Sequence, residues 1–317
     1  MSSQIIADTS GVRIVADASG NLTFTVSGTL TYGKVIITQP ATGSTLTILD
    51  GKTVTEKSTR TIQGTDGNVL DTDALIRSCY QGLLMTYVST TSFSVGVGAV
   101  GDSTFVSTMV LAATTTKTTA AWAVGSAQGG LDTGAIAATT WYYVYLIKRV
   151  DTQVVDILYS TSATTPTMPT NYTLKRMIGA VKTNGSSQFI QWIMYNDGTQ
   201  MWVTTLADVN DSTLTTARKS YTLTSIPPIQ VKANLYVYAN SATAAGTGVE
   251  FYGDTGISDS APGTSPLNFV LNVPVVNQAA QSVIPMFFPS GILYARSNQA
   301  STTIIATARD FNLRPFN

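Results

Sequence analysis

Apolar and polar positions alternate with period two along the first segment of the chain, from Met1 to about Gly67. The opening stretch shows this in Val12-Arg13-Ile14-Val15 and in Asn21-Leu22-Thr23-Phe24-Thr25-Val26. Successive side chains of a strand point to opposite faces, so the pattern predicts half-buried strands. Gly20, Gly28, Gly33, Gly43, Gly51, Gly64 and Gly67 punctuate the run, and several strands restart alike after a glycine. The spacing is irregular, which argues against a fixed-period solenoid. Asp50-Gly51, between Leu46/Ile48 and Val54, predicts a tight hairpin. Each strand here offers only two or three apolar side chains on one face. Such a ribbon is unstable alone in water and must bury that face on something else. Residues 1–69 are therefore read as a shaft-like or attachment module. Leu22, Phe24, Leu30, Leu46, Ile48 and Val54 are its candidate assembly interface.

Residues 70–85 carry the one helix-compatible pattern. Asp71 and Asp73 suit a helix start, and Leu75, Ile76, Leu83 and Leu84 supply an apolar stripe, with Gly82 against it. The expectation is a short helical or turn linker.

Residues 86–317 read as many short strands. The strongest, Trp141 to Lys148, leads through Asp151-Thr152-Gln153 into Val154 to Tyr159, which predicts a hairpin. Both faces of the first strand are apolar, so both are expected to be covered. A second hairpin runs from Phe189–Tyr195 to Met201–Val203. Asp197-Gly198 predicts a two-residue type I′ turn there, pairing Tyr195 with Gln200 and Ile193 with Trp202. That register sends Trp192 and Trp202 to opposite faces, one into the core and one to solvent or a partner. Both are kept as candidate receptor contacts. Further strands are expected at 219–223, 229–238, 249–252, 269–275, 282–288 and 302–308. Their spacing predicts a β-sandwich or jelly roll, as one domain or as two divided near residue 220. The low-complexity stretches 112–121 and 160–170 are predicted to be loops, and Pro166 and Pro169 bar a central strand in the second.

Composition sharpens the fold class to all-β. Charged residues make up 11% of the 317, and Glu56 and Glu250 are the only glutamates. Thr, Ser, Asn and Gly fill the polar positions instead, and the branched Cβ of Thr suits a pleated surface. Eighteen Lys plus Arg balance eighteen Asp plus Glu. No long-range field draws in nucleic acid. So few charges protect a free monomer poorly against association, which suits a protein built into an assembly. With one cysteine and no histidine, the chain can form no internal disulfide, no Cys-pair zinc site and no Ser-His-Asp or Cys-His machinery. Cys79 is read as a small buried apolar residue. Met1-Ser2-Ser3-Gln4 does not resemble a signal peptide, and no apolar run approaches the ~18 residues of a membrane span.

The acids form two close pairs, Asp208/Asp211 and Asp254/Asp259. Paired carboxylates can cleave a glycosidic bond, but turn formation explains both pairs. Asp66-Gly67-Asn68 with Asp71 and Asp73 is the densest oxygen cluster, without EF-hand spacing. No catalytic, cofactor or metal site is assigned. Trp122, Trp141, Trp192 and Trp202, with Tyr142, Tyr143 and Tyr145, could stack on sugars, although aromatic side chains more commonly fill cores.

Two stretches resemble phage proteins. The first is Ile37-Thr38-Gln39-Pro40-Ala41, with Thr45-Leu46-Thr47-Ile48-Leu49-Asp50-Gly51-Lys52-Thr53-Val54 and Gly64-Thr65-Asp66-Gly67. It resembles N-terminal modules of bacteriophage tail-fibre and other virion structural proteins. The second comprises Trp141 to Lys148, Val155 to Ser162, Asn171-Tyr172-Thr173 and Arg176 to Val181. It is similar to a β-rich module of phage tail or fibre proteins. Together they cover about half the chain and carry no catalytic motif. The resemblance implies a non-enzymatic virion structural protein, tail-fibre-like, that attaches to the particle and contacts the host surface. A capsid decoration protein or head fibre is the alternative, and a polysaccharide depolymerase the third reading. The implied partners are other virion proteins and a host surface glycan or receptor. A homotrimer is favoured, because threefold packing closes the edges of such ribbons.

Overall fold

A computed structural model describes residues 80–314, apart from 243–244, 258, 260 and 263–268. It also gives the backbone of strands Gln4–Asp8, Gly11–Val15, Thr61–Gln63 and Val69–Asp71. The chain divides into two compact units, Met1–Lys57 and Ser58–Asn317. The division falls before the antiparallel pair Thr61–Gln63/Val69–Asp71 rather than after it. In the first unit, the predicted period-two strand at Val12–Val15 pairs antiparallel with Gln4–Asp8, from Gln4↔Val15 to Asp8↔Gly11. The proposed interface residues Leu22, Phe24, Leu30, Leu46, Ile48 and Val54, and also Cys79, lie outside the described residues.

The fold is all-β. Within the expected linker at 70–85, the described residues are extended rather than helical, at Val69–Asp71, Tyr80–Gly82 and from Met85 onward. Gly82 adopts φ +68° and Leu83 +55°, conformations that break a helix. The Leu83 and Met85 side chains go into the core, not onto a helical stripe.

A seven-stranded sheet, beside a separate three-stranded sheet of Tyr80–Gly82, Gly98–Gly101 and Thr108–Leu111, draws its strands from residues 85–182. Its order is Tyr172–Lys182, Trp141–Arg149, Val155–Ser160, Gln128–Leu131, Thr115–Ala121, Ser92–Val95 and Met85–Ser89. Trp141–Arg149 lies between two neighbours, and every side chain from Tyr142 to Ile147 is buried. A fully buried strand needs apolar side chains on both faces, and this run of aromatic and branched residues supplies them. Beside it, Phe93, Tyr142, Tyr159 and Phe189 meet ring to ring at 5.5–5.9 Å.

Residues 192–312 form the sandwich-like layers expected. One sheet runs Trp192–Met194, Gln200–Trp202, Thr302–Asn312, Val231–Ser241, Ala279–Phe288, with Val209–Leu214 also on Thr302–Asn312. The other runs Lys219–Thr222, Ile292–Ser297, Thr247–Tyr252, Phe269–Val273. Alternate residues Val231, Ala233, Leu235, Val237 and Ala239 are buried, as are Val249, Phe251, Leu293 and Ala295 of the second sheet. Strands change sheet between residues 182 and 192, and again between Val209–Leu214 and Lys219–Thr222. Trp141, Trp202 and Phe311 join the two halves, with centroids 5.6–5.9 Å apart.

One core position is poorly matched. Gln200 is 1% exposed, and neither amide atom has a hydrogen-bond partner. A buried amide without partners costs about 1–3 kcal/mol. Gln200→Met keeps the length and removes both polar atoms, so it should stabilise the unit by that amount. Urea unfolding measures it, and a fall in stability would show that the amide contributes favourably.

Candidate functional site

Both predicted receptor contacts are core residues. Trp192 is 3% exposed and Trp202 6%. The expected register is also off by one residue. Trp192 stands opposite Trp202, and Met194 opposite Gln200. The turn explains the shift. Among its residues only Gly198 has positive φ, +87°, whereas a type I′ turn needs positive φ at two successive positions. The chain instead closes a three-residue loop. The Tyr195 N–H donates to the Thr199 carbonyl at 2.8 Å and the Gly198 N–H to the Tyr195 carbonyl at 2.9 Å. A one-residue slip moves every side chain of one strand to the other face. The two tryptophans therefore share a face and are both enclosed. Trp192 Nε1 donates to the Met85 carbonyl and Trp202 Nε1 to the Ser225 carbonyl.

Another tryptophan reaches the surface. Trp122 is half-buried and lines an open groove of about 580 Å³ with Val124, Arg149, Thr152, Val154, Pro169, Thr170 and Tyr172. Three chain segments build it. The Trp141–Arg149/Tyr172–Lys182 pairing sets Arg149 directly beside Tyr172. The Trp141–Arg149/Val155–Ser160 hairpin brings Thr152 and Val154 over the rim. The loop after Ala121 carries Trp122. Its indole Nε1 donates to the Ile157 carbonyl at 3.0 Å, and its ring meets Tyr172 edge-on at 5.1 Å.

That loop is shaped from inside by one buried charge pair. The 115–121 stretch is a strand, not the predicted loop, because its alternation buries Thr115 and Lys117. It runs parallel to Gln128–Leu131, although parallel neighbours normally need a crossover of a dozen or more residues. Residues 122–127 make the return, and Lys117 Nζ sits within it. Nζ donates to the Ala123 and Gly125 carbonyls at 2.8 and 2.9 Å and to Asp156 Oδ2 at 2.9 Å. The Gly125 N–H donates to the same Asp156 oxygen. Gly125 holds φ +102°, which a residue with a Cβ adopts only with strain. The ammonium also lies 5.5 Å from the Trp122 ring centroid. Burial lowers the Lys117 pKa, and the Asp156 bond opposes that shift.

The groove lining carries little net charge. Arg149 Nε and Nη2 donate to the two oxygens of Asp151 at 2.9 and 2.5 Å, which raises the guanidinium pKa and holds the carboxyl down at about 2. Burial, reinforced by Asp156, raises the Tyr172 hydroxyl above its ordinary value, so it stays protonated as a donor. The hydroxyls of Thr152, Thr170 and Tyr172 make no hydrogen bond to a protein atom.

The carboxylate pairs noted in the sequence are each engaged separately. Asp208 accepts from the backbone of Thr224 and Ser225, and Asp211 from Lys219 and Tyr221. Asp254 accepts from the Gly256 N–H, and Asp259 accepts from Arg296. The sequence did signal Trp122 as one of four tryptophans. Nothing in the sequence singled out Arg149, and nothing linked either residue to Tyr172. Comparison with protein-family models, with curated proteins and with solved structures gave no match.

Proposed function

We propose that this chain is a structural protein of a bacteriophage particle, tail-fibre-like, whose second unit meets the host surface at the Trp122–Tyr172 groove. The groove is the observation that carries the reading. It is an exposed aromatic recess with unengaged hydroxyls, held by a rigid sheet through a buried ion pair. Rigid scaffolds that present shaped surface loops are the usual way to build a binding site. The charge-poor, Thr-rich strands and the resemblance of both stretches to phage modules support a virion role. The carboxylates that could serve hydrolysis are tied into separate structural contacts, which favours adhesion over depolymerisation. The purified chain should compete with intact phage for adsorption to host cells, and Trp122→Ala should abolish the competition. Equal competition by the variant would remove the groove from the host contact.

A homotrimer is part of the same reading, with the thinly apolar strands of residues 1–69 shared between subunits. Sedimentation equilibrium should give three times the 33.5 kDa chain mass. A folded monomer, unchanged by concentration, contradicts the shared-core argument.

A further inference from the structure

We infer that the groove binds a single uncharged pyranose ring of a glycan. The inference rests on the host-contact reading and names the ligand chemistry of that site.

Trp122 is the aromatic wall of the groove. Its indole N–H is fixed on the Ile157 carbonyl, and Lys117 and Tyr172 hold the ring from within. The side chain therefore meets a ligand already ordered, and binding does not have to freeze its rotamers. A fixed aromatic surface matches the C–H face of a pyranose, which is flat and apolar. The polar groups match the rest of a sugar. Tyr172 is only 5% exposed, yet its hydroxyl bonds no protein atom while its ring lines the groove. Thr152 and Thr170 add two further unengaged hydroxyls. A purely apolar ligand would cover these groups and leave them unpaired, at a cost. Sugar hydroxyls donate and accept, so they can partner all three.

Charge selects among sugars. The Arg149 guanidinium is the one cation lining the groove, and Asp151 already binds it in bidentate fashion. Lys117 is fully buried and paired with Asp156. An anionic sugar would meet no uncompensated positive charge and would sit near the Asp151 carboxylate. A neutral ring loses nothing by this arrangement, and the Arg149–Asp151 pair offers it both donors and acceptors. The groove volume, about 580 Å³, lies in the range of small-molecule sites.

The test titrates the full chain with methyl glucoside, galactoside and mannoside and with N-acetylglucosamine, set against glucuronate and N-acetylneuraminate. Tryptophan fluorescence and calorimetry follow binding. At least one neutral sugar should saturate, at least tenfold more tightly than either acid. Trp122→Ala should abolish binding, and Tyr172→Phe should weaken it about three- to tenfold, the worth of one hydrogen bond. Near-UV circular dichroism checks that Trp122→Ala is folded, and Tyr172→Phe keeps the test open if it is not. Binding of the acids as tight as that of the neutral sugars overturns the inference, and so does saturation by none of the panel. Host cells supply the separating arm. Cell binding that needs Trp122 but is not competed by any neutral sugar sinks the sugar assignment alone. Neutral sugar binding at the groove without any cell binding supports the sugar assignment and sinks the host-contact reading.

Discussion

Asp156→Ala should destabilise the second unit by about 3–5 kcal/mol, the cost of leaving a buried charge without its partner. Lys117 and Asp156 are 0% and 2% exposed, and Nζ and Oδ2 stand 2.9 Å apart. Removing the carboxylate leaves an ammonium in a dry interior with two carbonyls for company. It also frees the Gly125 N–H, which donates to the same oxygen at 3.1 Å. Both losses fall on residues 122–127, so the Trp122 wall of the groove should loosen along with the core. The double variant Lys117→Met/Asp156→Ala removes the charge as well, and should recover most of the stability. It should not recover ligand binding, because the two carbonyls that shape the loop are left without a donor. Urea unfolding of the two variants measures the difference. A loss under ~1 kcal/mol in the single variant would mean that water already screens the pair, as it does for surface ion pairs.

Trp202→Ala and Trp192→Ala should each cost about 3–5 kcal/mol, the range for deleting a large buried aromatic. Trp202 stands 5.7 Å from Trp141 and 5.9 Å from Phe311, at the joint between the two halves of the unit. Trp192 lies 5.7 Å from Tyr87 and 6.2 Å from Phe93. Each also leaves a carbonyl without its indole donor, at Ser225 and at Met85. Protein that remains folded should keep full affinity in the groove, which these side chains do not line. Trp122→Ala should differ, with a smaller loss of stability, because its ring is only half-buried, and with loss of binding. Thermal melts and titrations on the three variants separate the two classes. Lost affinity in a folded Trp192→Ala or Trp202→Ala variant would return those residues to the contact surface.

The contrast among these tryptophans shows what the sequence could and could not reveal. The hairpin Trp141–Arg149/Val155–Ser160 was legible because its apolar run is long and its loop polar. Several strands of the last third were legible from apolar residues at alternate positions, as in Val231–Ser241, whereas Ile292–Ser297 was missed. The strand at Thr115–Ala121 was hidden, since a threonine-rich stretch with a lysine looks like a solvated loop. Its burial depends on Asp156, 39 positions away. The register at Trp192 turned on the φ of a single residue, which Asp197-Gly198 does not announce. The groove needs Trp122, Arg149 and Tyr172 from three segments, and only strand pairing reveals that they meet. Residues 80–85 misled because Leu83 and Leu84 fit a helical stripe, whereas Gly82 and Leu83 take left-handed conformations that start a new strand; residues 72–79 of the expected linker lie outside the described residues.

The most direct test of a tail-fibre-like role is immunogold electron microscopy of intact particles with antibody raised to this chain. The account predicts gold on the fibres at the tail end of the phage. Gold distributed over the capsid shell, or particles left unlabelled by an antibody that binds the purified chain, would contradict it.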